Sequence, residues 1–276
     1  MGPCLASLKP PEMVPTVEIC CSPADRVAAI VQQAAAQAIK ARGAFSIAIA
    51  GGSLVKMLGA MAGMSDVEWG KWHVAWVDER CVPHGDQESN YGGAREAWLS
   101  KVPIPEAQVH RINEALCPGG GGAAVAEAAA ADYQGQLQAL PQEVLPRTPE
   151  GLPVFDLLLL GFGPDGHICS LFPGHALLED ASGRWILPIS DSPKPPPERI
   201  TLSLPAVNSA AKIVLVGTGD GKKDVVKEAF TPGCSLPCVK ARGSATALEG
   251  PTWVLDAAAA ALLSADSPAF ELKQID

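Results

Sequence analysis

Residues suited to acid–base chemistry and anion binding follow several short apolar runs of this 276-residue chain. One run ends in Gly51-Gly52-Ser53, the next in Asp78-Glu79-Arg80, and two later runs lead into His167 and Lys222. Glycines let a ligand approach the backbone, carboxylates and a histidine move protons, and Arg and Lys bind anions. If the runs are parallel strands, these residues meet at the carboxyl edge of one sheet, where open α/β sheets bind ligands.

The elements that must position them alternate along the chain. Nearly continuous apolar runs, typical of strands buried on both faces, cover residues 44–50, 74–77, 155–160, 213–216 and, more weakly, 252–255. Helical patterns cover residues 23–42 (ended by Gly43), 54–61, 93–99, 123–140, 222–230 and 257–263. This alternation predicts an α/β fold of three layers (α/β/α) with a mainly parallel, Rossmann-like sheet in a single domain.

The predicted domain covers residues 17–265. Residues 1–16, with four prolines, are expected to be poorly ordered, and residues 266–276 to form a C-terminal tail. Glycines at 119–122 and prolines between 141 and 153 indicate flexible surface loops within the single domain. The proline-rich segment 192–197 indicates a stiffer loop.

Composition excludes several classes of protein. With 21 Lys+Arg against 30 Asp+Glu, the net charge of −9 argues against nucleic acid and acidic membranes as partners. No apolar run reaches the ~18 residues of a membrane span, and the first residues lack a secretory pattern. Eight scattered cysteines suit reduced, structural thiols of a cytoplasmic protein. Cys234 and Cys238 lack the second pair that a zinc site needs, so we expect no metal.

Gly51-Gly52-Ser53 before a helix can cradle an anion, because free N–H groups of the helix point at the ligand. The same residues also suit an ordinary tight turn, and the sequence alone leaves both interpretations open. Arg80 and Lys222 could complete a phosphate site, although each alone could also be a solvated surface charge.

Residues 161–166 match the G-x-G-x-x-G pattern of dinucleotide-binding proteins, but we reject that interpretation. Asp165 would place a carboxylate beside a pyrophosphate, and Pro164 removes a useful N–H donor. Pro173 and Gly174 also stop any long helix soon afterwards.

His167 is the best candidate for a general base. It follows Asp165 and Gly166 at the predicted sheet edge, where a carboxylate can fix the tautomer of the imidazole. No G-x-S-x-G elbow accompanies it, so Ser170 and Ser53 are poor nucleophile candidates and activation of water fits better. A structural role for an isolated Asp-Gly-His remains the alternative.

In their order, these motifs resemble the family of glucosamine-6-phosphate isomerases and 6-phosphogluconolactonases, in particular the eukaryotic lactonases. The resemblance spans residues 17–264. It rests on Gly51-Gly52-Ser53-Leu54, Asp78-Glu79-Arg80, Glu88-Ser89-Asn90-Tyr91-Gly92, residues 163–173, Arg199-Ile200-Thr201-Leu202 and Gly219-Asp220-Gly221-Lys222.

The resemblance implies hydrolysis of 6-phospho-D-glucono-1,5-lactone in the oxidative pentose phosphate pathway, without an organic cofactor. It implies that His167 is the general base beside Asp165, and that the lactone phosphate binds Gly51, Gly52 and Ser53. Asp78, Arg80, Arg199 and Lys222 then belong to the substrate site. The chemistry itself needs a donor to the oxyanion, and either Arg80, which we favour, or backbone N–H groups of the loop at residues 163–167 could supply it. Ala50 stands where many members have Ser, so the loop keeps its backbone donors and we expect one hydroxyl contact fewer.

Two other functions stay open. On the same scaffold, a deaminase/isomerase could use Asp78 and Glu79 for extra proton transfers, although deaminases carry Asn-Glu-Pro where this chain has Leu171-Phe172-Pro173. A non-catalytic phosphosugar-binding protein would keep the anion site without turnover. For the lactonase, we expect a small-molecule phosphosugar lactone as partner, with no nucleic acid or membrane. We also expect a monomer or weak dimer and a cytoplasmic location, with a plastid as the alternative.

Overall fold

A computed structural model describes residues 14–244, 249–264 and 267–276, and a seven-stranded sheet forms its centre. Every strand pair in this sheet is parallel, and the spatial order is β10-β1-β9-β8-β5-β2-β3. The strands are β1 (Thr16–Cys20), β2 (Phe45–Ile49), β3 (Trp72–Trp76), β5 (Leu157–Gly161), β8 (Ile213–Gly217), β9 (Thr252–Leu255) and β10 (Glu271–Ile275). The predicted single-domain α/β fold with a mainly parallel sheet is confirmed.

Five of the six predicted α-helices form, four of them with shifted bounds, and two further short helices were not predicted. The α-helices are α1 (Pro23–Arg42), α2 (Ser53–Leu58), α3 (Asn90–Ala97), α4 (Gly122–Gln138), α5 (Leu204–Asn208), α6 (Lys223–Ala229) and α7 (Pro237–Lys240). Helix α1 has the predicted bounds and contacts strands β1, β2 and β9. It ends because Gly43 adopts a φ of 78° and donates its N–H to the carbonyl of Ile39.

The core lies along the central strands. All residues of β2 and β8 are buried, and Leu157–Leu160 of β5 have no exposed surface. Such strands need apolar side chains on both faces, which is why their sequence does not alternate.

A second, three-stranded antiparallel sheet was not predicted. Strand β4 (Asp78–Arg80) pairs with β7 (Arg199–Leu202), which pairs with β6 (Ile186–Ile189). In this sheet Asp78 lies opposite Thr201, and Arg80 lies opposite Arg199. The small sheet therefore brings two distant segments with predicted site residues side by side.

The structure differs from the sequence-based predictions in three segments. Residues 257–262 form turns instead of a helix, because Asp256 Oδ1 accepts the N–H of Ala259 at 2.7 Å and closes the first turn. Residues 271–275 of the predicted tail form β10, which pairs with β1. Strand β1 begins at Thr16, inside the segment expected to be poorly ordered, while residues 1–13 lie outside the described residues. In the described parts of the chain, no helix is both long and apolar enough to cross a bilayer.

Candidate functional site

The loop of Gly51-Gly52-Ser53 leads directly from β2 into α2. Gly52 has a φ of 69°, a conformation that favours glycine. A Cβ atom on Gly51 would lie 1.7 Å from Oδ1 of Asn90, so only a glycine fits beneath that side chain. The loop therefore lies directly against Asn90, the first residue of α3.

The loop that carries His167 is a tight turn after β5. Gly163 donates its N–H to the carbonyl of His167 at 2.9 Å, and Gly166, with a φ of 78°, donates to the carbonyl of Gly163 at 3.0 Å. No helix begins in this loop, in agreement with the rejection of a dinucleotide site. The turn fixes the histidine at the carboxyl edge of the sheet.

His167, Asp165 and Lys194 form one charged cluster. His167 Nδ1 lies 2.5 Å from Asp165 Oδ1, and Lys194 Nζ lies 3.1 Å from both of those atoms. The histidine side chain is only 17% exposed. Lys194 was missed by the sequence analysis, because the prolines around it indicated a stiff loop and nothing in the sequence marked its contact with His167.

The pKa values of this cluster suit a neutral imidazole beside a carboxylate. Burial lowers the pKa of His167, with Asp165 acting in the opposite direction and Lys194 adding to the decrease. Burial opposes ionisation of Asp165, but its contacts with His167 and Lys194 outweigh that effect and lower its pKa to about 2.

The short contact between His167 and Asp165 also defines the tautomer. At 2.5 Å, two acceptor atoms without a proton between them would repel each other strongly, so Nδ1 of His167 carries the proton and donates to Asp165 Oδ1. The other ring nitrogen, Nε2, then has a free lone pair. This arrangement leaves His167 able to accept a proton at Nε2.

Asp78 is buried and links two loops of the site. Ser170 donates its hydroxyl proton to Asp78 Oδ2 at 2.8 Å, and the Asn90 amide donates to the Asp78 carbonyl at 2.8 Å. Asp78 also acts to raise the pKa of His167, which places the two groups in the same electrostatic environment.

Glu79, the neighbour of Asp78, anchors the start of α3, whereas the sequence suggested a role for it only in the deaminase alternative. Its fully buried carboxylate accepts the backbone N–H groups of Arg80, Asn90 and Tyr91 at 2.7–2.8 Å. Burial raises the pKa of Glu79 to about 7, against the effect of these three donors. Glu79 stands within a run of polar residues, and no sequence signal separates this anchor from its neighbours.

Arg80 and Arg199 lie opposite each other in the small sheet but have different partners. Arg80 Nη1 donates to the carbonyl and carboxylate of Glu88 at 2.7 and 3.0 Å, while its buried Nε–H finds no acceptor among the described residues. Arg199 is 2% exposed and donates to the carbonyls of residues 194–196 at 2.8–3.0 Å. Burial lowers the pKa of Arg199, and nearby Arg80 adds to the decrease. Arg199 thus holds the proline-rich loop in place, whereas the Nε–H of Arg80 is a hydrogen-bond donor without an acceptor among the described residues.

Lys222 lies beside the loop of His167. Its ammonium group donates to the carbonyl of Phe162 and lies 5.2 Å from the centre of the Phe162 ring. Burial lowers the pKa of Lys222, Lys194 lowers it further, and Asp165 acts to raise it. These effects place Lys222 in the field of the charged cluster.

The Phe172 ring lies close to the His167 imidazole and to the cationic side chains of Lys194 and Arg199. Its centre lies 4.7 Å from the His167 ring, and 5.9 Å from both Lys194 Nζ and Arg199 Cζ. Contacts through Ser170 and Asn90 add Asp78 and the loop of Gly51. These contacts connect His167 and Asp165 with Arg199, Asp78 and the loop of Gly51, and Lys222 lies in the electrostatic field of the same cluster. The individual roles of the predicted site residues remain predictions. In the described residues, no three His, Cys, Asp or Glu side chains are grouped as a metal site requires.

The fold defines an α/β protein with a hydrogen-bonded pair of His167 and Asp165 at the carboxyl edge of its parallel sheet. The chain belongs to the glucosamine-6-phosphate isomerase/6-phosphogluconolactonase family, whose model matches residues 22–248.

Individual relatives agree with this assignment. The chain is 45% identical over 229 residues to the Arabidopsis thaliana protein named 6-phosphogluconolactonase 3, chloroplastic, with 81% of this chain and 67% of the relative covered. It is 43% identical over 245 residues to 6-phosphogluconolactonase of Rattus norvegicus, with 86% and 88% covered. The solved structure of 6-phosphogluconolactonase from Trypanosoma brucei has a TM-score of 0.74 at 28% identity and covers 91% of this chain and 100% of its own.

Proposed function

We propose that this chain is an enzyme that hydrolyses 6-phospho-D-glucono-1,5-lactone to 6-phospho-D-gluconate, a step of the oxidative pentose phosphate pathway. The observation that carries the proposal is the similarity, at 43–45% identity over most of both chains, to proteins that bear the lactonase name. The contact between His167 and Asp165 supplies the chemistry that this reaction needs.

His167 acts as the general base in the proposed reaction. Its Nε2 takes a proton from water, the water oxygen attacks the lactone carbonyl C1, and a tetrahedral oxyanion forms. When this intermediate collapses, the bond from C1 to the ring oxygen breaks, and Nε2 returns the proton to that oxygen. The new carboxylic acid then releases its own proton to solvent. Asp165 keeps Nδ1 protonated throughout, so that Nε2 is the reacting nitrogen.

Cations and backbone donors hold the substrate. Arg80, with its unpartnered buried Nε–H, is our candidate for stabilising the oxyanion, for which a lost donor typically costs about 10²–10³ in rate. The loop of Gly51, Gly52 and Ser53 and the ammonium of Lys222 bind the phosphate. In a chain of net charge −9, this local group of cations attracts a dianionic substrate. Asp78 and Arg199 contribute by fixing the loops around the ligand.

The deaminase alternative is not favoured. Where deaminases carry an acidic residue after the histidine loop, this chain has Leu171 and Phe172, which are 0% and 2% exposed. A buried apolar pair supplies no group for the additional proton transfers between sugar carbons. A non-catalytic phosphosugar-binding protein would have no use for the Asp165–His167 pair.

The decisive experiment is an assay of the purified protein on freshly generated 6-phosphogluconolactone, corrected for spontaneous hydrolysis. His167→Ala should lower kcat by about 10²–10⁴, the usual contribution of a general base, with substrate binding retained. His73→Asn is a matched control, because His73 lies near the amino end of β3 and should leave the rate unchanged. Ammonia release from glucosamine 6-phosphate without lactone hydrolysis would overturn the proposal, and full activity of His167→Ala would remove His167 from the mechanism.

The proposed reaction requires the phosphosugar lactone and water and no organic cofactor or metal. We expect a monomer or a weak dimer, which light scattering across a range of protein concentrations will distinguish. We expect a cytoplasmic protein, with a plastid as the alternative, since the Arabidopsis relative is named chloroplastic and the rat relative is not. Imaging of the full-length protein fused to a fluorescent protein separates the two compartments.

A further inference from the structure

We propose that Lys194 is a positioning residue for the same reaction: its ammonium group holds the Asp165 carboxylate against His167 and keeps the imidazole neutral between turnovers. This inference rests on the proposed lactone hydrolysis and adds a third member to the pair of Asp165 and His167.

The contacts of Lys194 reach both members of the pair. Its Nζ lies 3.1 Å from Asp165 Oδ1 and 3.1 Å from His167 Nδ1. An ammonium group has only donors, so it cannot accept the Nδ1 proton and must bind through the carboxylate. Asp165 Oδ1 therefore accepts from both cluster partners, which fixes its orientation more firmly than a single hydrogen bond.

The backbone that carries Lys194 is fixed before any substrate arrives. Arg199 donates to the carbonyls of Lys194, Pro195 and Pro196, and Ser192 Oγ donates to the Lys194 carbonyl at 2.9 Å. Arg199 itself is buried in β7. With its backbone held in this way, a side chain that is still 40% exposed places its ammonium group reproducibly.

The charges around His167 come from four elements. Asp165 belongs to its own loop, Asp78 to β4, Lys194 to the proline-rich loop, and Lys222 follows β8 and interacts with Lys194 and Asp165. Both carboxylates favour the imidazolium, and Lys194 opposes it. Without Lys194, the two carboxylates would act on His167 with less opposition, and its pKa would rise.

This balance serves both proton transfers of the reaction. A base must be unprotonated to accept a proton from water, and Lys194 disfavours protonation at rest. After the transfer, the same ammonium group destabilises the imidazolium, which favours return of the proton to the ring oxygen as C1–O breaks. Lys194 thus contributes without touching the reacting atoms.

The test compares Lys194→Met with two controls. Lys194→Arg keeps the charge, and Lys212→Met removes a similar carboxylate-bound lysine at the opposite edge of the sheet, before β8. The first measurement is the pKa and tautomer of His167 in the free protein, from nitrogen NMR of labelled histidine. The second is the pH profile of kcat/KM on the lactone, with thermal unfolding as a check on the fold.

We expect the pKa of His167 to rise in Lys194→Met and to stay near the parent value in both controls. The acid limb of kcat/KM should move to higher pH by the same amount, so that activity on that limb falls about tenfold for each unit gained. An unchanged pKa of His167 with a raised KM would overturn the proposal and place Lys194 in direct contact with substrate. A parent protein without lactonase activity overturns the proposed function instead, whatever the NMR titration gives.

Discussion

The imidazole of His167 occupies the space above Gly163 that any larger residue would need. A Cβ atom on Gly163 would lie 2.1 Å from His167 Nδ1 and 2.2 Å from Asp165 Oδ1. Real Cβ atoms do not approach other atoms so closely, so the histidine and its carboxylate partner depend on a residue without a side chain. This dependence can be measured.

Gly163→Ala should leave the fold intact and reduce the activity strongly. The added methyl group must displace His167 or Asp165, and a displacement of about 1 Å in a reacting group can cost 10²-fold in rate. Lactonase kinetics and thermal unfolding check this expectation. Gly135→Ala in α4 is the control, because nothing lies within 4 Å of its Cβ position, and it should keep full activity. Equal kcat/KM values for Gly163→Ala and the parent would contradict the assigned geometry.

Gly51→Ala should weaken substrate binding through Asn90. The new Cβ atom collides with Asn90 Oδ1 and must displace an amide that binds the Asp78 carbonyl. We therefore expect a raised KM and a lower melting temperature. Adding Asn90→Ala removes the collision, so the double variant should be more stable than the sum of the single effects predicts. Strict additivity of the two substitutions would argue against this contact.

The pair of His73 and His110 should make the protein sensitive to acid. Nδ1 of His73 lies 3.1 Å from Nε2 of His110, and burial, with a further contribution from His73, lowers the pKa of His110 to about 4. As the pH falls from 6.5 to about 4, the unfolded chain binds a proton that the native protein excludes, so the free energy of unfolding decreases. At about 1.4 kcal/mol per pKa unit, the loss reaches at most about 3.5 kcal/mol.

Denaturant unfolding at several pH values checks this expectation. His110→Gln removes the titrating group, and its stability should fall less steeply over the same interval. Comparing the two proteins cancels the contribution of Glu79, whose raised pKa has the opposite sign. Parallel stability curves for both proteins would exclude His110 as a source of acid sensitivity.

Cysteine reactivity should separate into two classes. Cys21 is exposed and Cys234 half-buried, whereas Cys20, Cys81, Cys117, Cys169 and Cys238 are buried. Burial raises the pKa of Cys20 to about 11 and that of Cys238 to about 12, which leaves little of the reactive thiolate. In a Cys4→Ser background, a chromogenic disulfide reagent should modify two thiols in the native protein and the other five only in denaturant. Rapid modification of all seven would show that the described core opens readily.

The sequence predicted five of the seven strands of the central sheet, because those five are apolar runs; β1 and the polar strand β10 were not predicted. Residues 157–160 are four leucines with no exposed surface, a pattern that burial on both faces requires. The alanine run after Asp256 misled the helix prediction, because that carboxylate binds the N–H groups of Gly219 and Ala259 and favours turns. The local helix propensity of the alanines was therefore outweighed by hydrogen bonds of Asp256, including one to the distant residue Gly219.

The strand pattern placed the site residues that directly follow predicted strands, whereas Arg199 was named only through the family resemblance and Lys194 was missed. His167 and Lys222 come directly after β5 and β8, so the strand pattern placed them. Lys194 reaches the site because Arg199 binds its loop, and a buried arginine within a strand has no reliable sequence signature. Pairing of polar strands that lie far apart in the chain is set by the fold as a whole.

The register between β4 and β7 limits which changes in length the gene can accept. Successive side chains of a strand point to opposite faces of the sheet. One inserted or deleted residue within 78–80 or 199–202 would therefore turn the side chains beyond it to the opposite face. The exposed glycines 119–121, which lie between regular elements, carry no such constraint. Natural length variation among homologous genes should therefore concentrate in that connection and spare the paired codons.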